Sequence, residues 1–432
     1  MSTQGDEDLK RIVGVPQLAA TIVNFTIGAG IFALPALIGM QLGAASFTGY
    51  LLCGLMFAAI MLCYVEIGSR IKTSGGSYAY VEKAFGPFAG FIINWFFFFG
   101  FGIISDAAIM NVVADSLSGL IPTLATPLMR IALFTILIAS MIFVNMRDTK
   151  NGVFFIQLIT ILKLLPLIGI ILFGFRFVDF NNLRIDHLPS MKAYNDSALI
   201  LFFAFAGFET SLNVSGEIKN PARTIPRGVL LGGSIIFIIY VLIQTVTIGM
   251  LGPQLSRFTN APLAEVANKM IGAPGAIILL IAAALSGFNN VNGDVLATSR
   301  LLYAGAKNGL YPSFLGKIHK RYATPYWAVI VYAILILIFS VSGGFKQLAI
   351  LASGTLLIVY LAVVLSLIKL RFTNKKENST EKTFRVPGGL IVPIVAIVAI
   401  IYVLSNLSRN EILSIAIFGV LLCPVYLLRR KK

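Results

Sequence analysis

The feature that most constrains this 432-residue chain is the recurrence of long apolar runs along nearly its whole length. A helix of about 20 residues crosses the roughly 30 Å hydrocarbon core of a bilayer, whereas strands of a membrane barrel would be shorter and would alternate in polarity. The runs cover residues 13–39, 45–69, 87–117, 127–145, 152–175, 196–216, 227–251, 273–303, 325–341, 347–369, 390–407 and 412–428. The sequence therefore predicts an all-α polytopic membrane protein with twelve transmembrane helices.

Positive charge is the second constraint, because the net charge is +16 although only 12% of the residues are charged. Twelve spans place the loops alternately on two sides, and 25 of the 34 Lys and Arg residues then fall on one side. Basic loops stay in the cytoplasm, so we expect both termini, residues 1–12 and 429–432, to be cytoplasmic. We expect the protein itself to lie in the cell (inner, cytoplasmic) membrane. Nucleic-acid binding is the alternative explanation of the positive charge. The spread of basic residues over seven segments instead favours topology and attraction to membrane lipid, with no nucleic-acid partner.

Residues suited to enzymes or metal sites are scarce, since the chain has 2 His and 3 Cys. The cysteines lie in apolar runs and lack the spacing of metal or redox sites, so we expect no cofactor, no metal and no enzyme. An intramembrane protease built on Asp106 and Asp294 is the enzymatic alternative, but no motif accompanies Asp106. A signalling receptor is disfavoured because the sequence has no sizeable soluble domain.

Two of the apolar runs are interrupted near their middle. The first contains Gly28–Gly30 followed by Pro35, and the sixth contains Gly207 and the charged Glu209. Glycine and proline are poor helix-interior residues, and unwound backbone in a membrane must line a polar cavity or be buried in protein. Close packing through small residues is the structural alternative.

The two broken spans begin two blocks of similar length, residues 13–175 and 196–370. This arrangement predicts a five-plus-five inverted repeat with substrate held at the breaks, followed by two further helices in 390–428.

The chemistry of such breaks fits a small zwitterion. A helix that restarts after Gly30 points unpaired N–H groups at an anion such as a carboxylate. Unwound carbonyls at Phe205, Ala206 and Gly207 offer acceptors to an ammonium group. An α-amino acid satisfies both ends, and so does another small zwitterion.

Ionisable residues inside the spans are Glu66, Asp106, Lys163, Glu209 and Asp294. Each costs roughly 2.5–3.5 kcal/mol at a helix centre and needs a partner, a cavity or neutralisation. Glu209 can hold or release a proton at the second break. Lys163 can take the place of a sodium ion against carbonyls of span one and hydroxyls or amides of span eight, unless it snorkels to an interface. Asp106 and Asp294 either pair with the distal cation of a basic substrate or are structural, and Glu66 is expected to be structural.

Four separated motifs lie in a fixed order along the chain. They are Gly28-Ala-Gly-Ile-Phe-x-x-Pro35, Tyr64-x-Glu66…Gly75-Gly-Ser-Tyr-x-Tyr80…Phe85-Gly-Pro87, Phe205-Ala-Gly-Phe-Glu209…Gly216-Glu-x-x-Asn-Pro221-x-Arg223-x-Ile-Pro226 and Ser299-Arg-x-Leu-Tyr-Ala304…Lys307-Asn-Gly309-x-x-Pro312. At these motifs the sequence resembles the amino acid–polyamine–organocation (APC) superfamily of transporters, over nearly its whole length. The resemblance implies the LeuT-like fold with broken helices 1 and 6.

The resemblance also implies roles for individual residues. The first break would bind the carboxylate of the substrate, and the backbone of the second break would bind the amine of the substrate. Phe203 would close over the bound substrate. Ser105 would contact the substrate side chain, and Asp294 stands where some members carry an aromatic gate. Lys163 matches the fifth-span lysine of sodium-independent members. The candidate substrate-binding residues are Ile27, Gly28, Ala29, Gly30, Ser105, Phe203, Phe205, Ala206, Gly207 and Asp294, and the candidate proton-coupling residues are Lys163 and Glu209.

The sequence thus predicts a sodium-independent, proton-coupled secondary transporter of amino acids that works by alternating access. The alternative is an exchanger of cationic amino acids or polyamines. The expected partners are a small-molecule substrate, protons and membrane lipid. The sequence does not specify the oligomeric state, so a homo-oligomer remains open.

Overall fold

The structure, a computed structural model, describes residues 13–71, 75–147, 163–212, 218–307, 309, 311–319, 321–322, 324–373 and 384–430. In these residues the chain is helical apart from turns, connecting segments and one isolated pairing of Val13 with Ile218. The α-helices are α1 (Val15–Thr26), α2 (Leu34–Leu42), α3 (Ser46–Arg70), α4 (Gly76–Phe85), α5 (Pro87–Trp95), α6 (Ile103–Leu120), α7 (Pro127–Arg147), α8 (163–174), α9 (Met191–Phe205), α10 (Pro221–Leu251), α11 (Pro262–Ile271), α12 (Ala273–Lys307), α13 (Tyr326–Ser342), α14 (Phe345–Thr373), α15 (Ile391–Leu404) and α16 (Arg409–Arg430).

Seven helical segments of the described chain are long and apolar enough to cross a membrane, and α13 and α15 are shorter apolar helices. Large apolar side chains are unusually exposed on the outside of the helices, since Leu128 of α7, Leu172 of α8 and Val420 of α16 are 73%, 68% and 68% exposed. Such surfaces are unfavourable in water and suit a lipid environment. The chain is therefore a membrane protein.

The twelve-span count and the inverted repeat remain predictions. The fifth predicted span is described only from residue 163, and residues 213–216 at the end of the sixth lie outside the described residues. The predicted cytoplasmic N-terminus, 1–12, and the last two residues, 431–432, also lie outside them.

Three interruptions of helical geometry lie inside predicted spans. The first span is divided between α1 and α2, with a 3₁₀ turn at Ala29–Phe32. The sixth span changes from α9 to a 3₁₀ turn at Phe208–Leu212, and the third contains a π-helical segment at Phe96–Gly102. Segments of π-helix occur frequently at functional sites. These interruptions lie close to one another because α2 packs against α9 and α12 packs against both α6 and the first 3₁₀ turn.

Polar networks tie the helices at opposite ends of the molecule. At one end, the Arg130 guanidinium of α7 donates to the Asp115 carboxylate at 2.6 Å and to the Asn111 amide oxygen at 2.7 Å, both on α6. At the other end, buried Glu66 of α3 accepts hydrogen bonds from Arg371 of α14 and from the Val386 N–H at 2.8 Å. The expectation that Glu66 is structural agrees with this network.

Candidate functional site

The two helix breaks lie against each other, and Gly207 makes that approach feasible. Its φ is +115°, a conformation that side-chain-bearing residues rarely adopt. A Cβ added there would lie 2.7 Å from the carbonyl oxygen of Phe25 and 3.2 Å from the Cα of Thr26. The backbone of the second break is therefore packed directly on the last turn of α1, and this close packing requires glycine at position 207.

Tyr240 of α10 joins the two broken helices. Its hydroxyl donates to the carbonyl oxygen of Thr26 at 3.1 Å and to that of Ala204 at 2.8 Å. Both carbonyls lie in terminal turns, where intrahelical partners run out. The hydroxyl of one buried side chain, with its single proton shared between the two carbonyls, thus bridges the ends of α1 and α9.

A small polar cavity of about 60 Å³ opens between the breaks. It has room for a few water molecules or the head of a small zwitterion. Its lining includes these predicted residues: Gly28, Gly30, Ser105, Phe203, Ala206, Gly207 and Asp294. Ile27, Ala29 and Phe205 were also predicted to bind substrate, and they do not line it. The Phe205 ring instead packs against Tyr50, Phe57 and Tyr240.

Phe203 covers the cavity from the side of α14. Its ring lies edge-on to Phe345, with ring centroids 5.7 Å apart, and a Cβ on Gly30 would lie 3.5 Å from it. The two rings form an apolar cover over the first break. This placement is compatible with the closing role that the resemblance implies for Phe203.

Polar residues of α12 approach the cavity at helical spacing. Asn290 and Asp294, one turn apart, both line it. Asn292 points elsewhere and accepts a hydrogen bond from the Asn145 amide at 2.8 Å. Sequence reasoning missed Asn290, although its i,i+4 spacing to Asp294 was a usable signal. It also missed Thr26, whose hydroxyl is buried without a hydrogen-bond partner at the cavity.

Glu209 lies behind the second break and does not line the cavity. Its side chain is buried, and its carboxylate accepts the Gly207 N–H at 3.1 and 3.2 Å and the Tyr360 hydroxyl at 2.9 Å. Tyr360 packs on Tyr64, whose hydroxyl pairs with that of Ser77 at 3.0 Å. Two of the separated motifs thus meet here, because residues of the second support the acidic residue of the third.

Lys163 lies on the opposite flank, against α1. Its ammonium donates to the carbonyl oxygen of Asn24 at 3.0 Å, and the residue is 3% exposed. A snorkelling lysine would reach an interface instead. The predicted contact with carbonyls of span one is therefore present. In the described part of the chain, no hydrogen bond joins Lys163 to a hydroxyl or amide of span eight, so that part of the expected contact is not found.

The site offers side chains for binding rather than for metal ligation. In the described part of the chain, no group of three or more His, Cys, Asp or Glu is placed to hold a metal ion. The cavity is lined by backbone of the first break at Gly28 and Gly30, by backbone of the second break at Ala206 and Gly207, and by Asp294. Such a polar lining suits a small molecule with polar groups.

Comparisons with known proteins find relatives along nearly the whole chain. The chain is 26% identical to the serine/threonine exchanger SteT of Bacillus subtilis (strain 168), over 99% of this chain and 98% of that protein. It is 26% identical to the methylthioribose transporter of the same organism, over 99% and 95%. It is 27% identical to the Asc-type amino acid transporter 1 of Mus musculus, over 97% and 81%. These relatives are transporters, not enzymes.

A family model described as amino acid permease matches residues 13–418, and this range includes both breaks and the cavity between them. The chain belongs to the amino acid permease family.

Proposed function

We propose that this protein is a sodium-independent, proton-coupled transporter that carries amino acids across the cytoplasmic membrane by alternating access. The observation that carries the proposal is the cavity between two broken helices. Gly28 and Gly30 of the first break and Ala206 and Gly207 of the second line this cavity, and the Lys163 ammonium donates to the carbonyl oxygen of Asn24. A lysine ammonium there can replace a bound sodium ion, because both are monovalent cations that carbonyl oxygens attract.

The coupling proposal concerns the two buried groups that flank the cavity. Lys163 reaches the end of α1 and Glu209 reaches the start of the second break, so each contacts backbone that moves if the breaks move. Loss of a proton from the Lys163 ammonium, or gain of one by the Glu209 carboxylate, removes the charge from such a bond. Bonds to charged groups contribute about 1.5–3 kcal/mol, enough to bias a conformational equilibrium.

Uptake by the full chain in reconstituted vesicles tests this function. We expect uptake of a labelled amino acid to rise with an inward proton gradient and to be unchanged when sodium is replaced by choline. Lys163→Met should abolish the gradient response, whereas Lys269→Met, which removes an exposed lysine that also donates to a carbonyl, should not. Uptake that requires sodium and ignores protons would refute the coupling.

Exchange of cationic amino acids or polyamines is the second candidate, and the position of Asp294 on the cavity wall favours it. A carboxylate there can pair with a distal ammonium group of the substrate. Asp294→Asn should then weaken the binding of lysine or putrescine far more than that of serine. Uptake that depends on preloaded internal substrate would identify exchange.

The proposed orientation places both termini in the cytoplasm, with the Glu66 network on the cytoplasmic side and the Arg130 network outside. Accessibility of single cysteines introduced at Arg184 and Lys317, in connecting segments at opposite ends, to a membrane-impermeant thiol reagent tests it. Residue 184 should react in intact cells, and residue 317 only after permeabilisation.

A further inference from the structure

A second cleft, of about 700 Å³, lies where α12 ends and α13 begins, and it shares no lining residue with the cavity between the breaks. Lys307, Lys317, His319 and Arg321 line this cleft together with Tyr326. Its volume falls within the range of roughly 300–1,000 Å³ that is typical of sites for small molecules. Basic side chains gathered around one concave surface attract an anion.

The segment that carries most of these side chains is held in place by the neighbouring helices. A Cβ on Gly316 would lie 3.5 Å from the Cβ of Ala306 on α12. Further along, the N–H of His319 donates to the carbonyl oxygen of Thr324 at 2.8 Å. The Thr324 hydroxyl in turn donates to the carbonyl oxygen of Met146 on α7 at 3.1 Å. The basic side chains are therefore presented by a backbone that is anchored at both ends.

Three cations of the cleft have no acidic partner among the residues that the structure describes. None of the ion pairs of those residues includes Lys307, Lys317 or Arg321. The Lys307 ammonium instead lies 5.8 Å from the ring centre of Tyr303, and the Arg321 guanidinium lies 5.4 Å from that of Tyr322. Contacts with an aromatic face attract a cation but leave its charge in place. The cleft therefore presents positive charge to an anionic ligand.

An apolar surface adjoins the basic one. Phe314, Ile318 and Trp327 are 40%, 46% and 38% exposed, and Ile318 also lines the cleft. The rings of Phe314 and Trp327 pack edge-on with their centroids 6.1 Å apart. Exposed tryptophan is typical of the membrane interface, where an apolar surface meets a polar one. A soluble anion would use only the basic side chains, whereas a lipid would contact both surfaces.

We propose that this cleft binds an anionic phospholipid of the surrounding membrane. Lys307, Lys317 and Arg321 hold the phosphate of the headgroup, and the acyl chains follow Phe314 and Trp327 into the bilayer. Basic residues at a membrane surface favour anionic over zwitterionic lipid, by about fivefold for each residue. The site depends on the membrane location of the chain and not on the proposed transport function.

Quenching of tryptophan fluorescence by brominated lipids tests this site, because the chain has only 2 Trp. In the full chain with Trp95→Phe, Trp327 is the remaining tryptophan and reports lipid bound beside it. The purified protein is titrated in detergent with brominated phosphatidylglycerol or with brominated phosphatidylcholine. Half-maximal quenching should need at least about fivefold less phosphatidylglycerol, the preference expected from a single basic residue. Equal quenching by the two lipids would overturn the proposal.

Neutralisation of the cleft tests which side chains are responsible. The combination of Lys307→Gln, Lys317→Gln and Arg321→Gln, in the same Trp95→Phe chain, should be quenched equally by both lipids. A preference that persists in this variant would overturn the proposal. If the triple variant fails to fold, Lys317→Gln alone, which changes an exposed side chain, should reduce the preference, and an unchanged preference would contradict the site.

The matched control removes three exposed basic side chains from another flank of the same predicted cytoplasmic side, by the substitutions Lys83→Gln, Arg223→Gln and Arg227→Gln. The last two lie on α10, which packs on α1 and α3, whereas α13 packs on α6, α7 and α12. The control variant should keep the preference for phosphatidylglycerol. Equal loss of the preference in both triple variants would indicate attraction by the overall charge and would overturn a specific site.

Inorganic phosphate distinguishes a lipid site from a site for a soluble anion. An excess of phosphate at constant ionic strength should leave the quenching of Trp327 by brominated phosphatidylglycerol in place, because free phosphate makes no apolar contact. Recovery of the fluorescence would assign the cleft to a soluble anion and would overturn the proposal.

Discussion

Substitution of Gly207 by alanine is expected to destabilise the protein severely, because this glycine meets two independent requirements. A non-glycine residue held in a sparsely populated backbone region costs about 1–3 kcal/mol. An added methyl group would also lie 2.7 Å from the Phe25 carbonyl oxygen. Overpacking a filled region typically costs about 1–3 kcal/mol.

The two costs together predict a loss of about 2–6 kcal/mol, a large share of the roughly 5–15 kcal/mol that stabilises a folded domain. Neither cost is easily relieved, since the atoms facing the methyl group belong to the main chain of α1 and cannot rotate away. The assay is the apparent unfolding temperature of the purified chain in one detergent, without substrate.

Gly30→Ala is the matched control, at the other break. Its Cβ would lie 3.5 Å from the Phe203 ring and 3.7 Å from the Phe345 ring, which are ordinary contacts, and its φ is not in the positive region. We expect an unfolding temperature close to that of wild type but a loss of substrate affinity of about tenfold, or 1.4 kcal/mol. Wild-type stability of Gly207→Ala would refute the packing of the two breaks described above.

Four further substitutions test three separate features of the structure. Glu66→Gln and Arg371→Met should each lower the free energy of unfolding by about 3–5 kcal/mol, and the double variant should lose much less than the sum of both, as denaturant titrations would show. Tyr360→Phe removes a hydrogen bond to the Glu209 carboxylate and should cost about 1.5–3 kcal/mol of stability, again by denaturant titration. Asn290→Ala should weaken substrate binding by about tenfold in a thermal-shift titration. Additive losses in the double variant would contradict the Glu66–Arg371 contact. Unchanged stability of Tyr360→Phe would contradict the hydrogen bond to Glu209, and unchanged affinity of Asn290→Ala would contradict a role of Asn290 in binding.

The apolar runs and the glycine interruptions predicted the helical class and the positions of both breaks. The length of an apolar run indicates a membrane helix because the thickness of the bilayer sets the length of such helices. Glycine within such a run indicates unwinding because glycine has a poor helix propensity. Both signals are local in the sequence. The structure accordingly ends α1 at Thr26 and α9 at Phe205, next to the predicted breaks.

The direction in which each site residue points could not be predicted in the same way. Asn290 and Asn292 are two residues apart in one polar patch, yet one lines the cavity and the other bonds to α7. Asp106 adjoins Ser105, but only Ser105 reaches the cavity. Which face of a helix meets the site depends on packing between segments far apart in the chain, and a single sequence does not encode that in any local pattern.

The contacts of the two breaks with the rest of the protein differ in what they hold together. Tyr240 bonds to both broken helices and so keeps them at a fixed separation, whereas Lys163 and Tyr360 each bond to one break from a separate helix. Under the proposed function, motion of the breaks as one body would preserve the first contact and exchange the other two. Each hydrogen bond to a charged group contributes about 1.5–3 kcal/mol. Reversing a two-state equilibrium from 1:99 to 99:1 takes about 5.5 kcal/mol of differential binding, which is of the same size as the two bonds combined. Under the proposed function, loss of both bonds would thus be of the size needed to reverse the equilibrium, whereas either bond alone is too weak to lock one state.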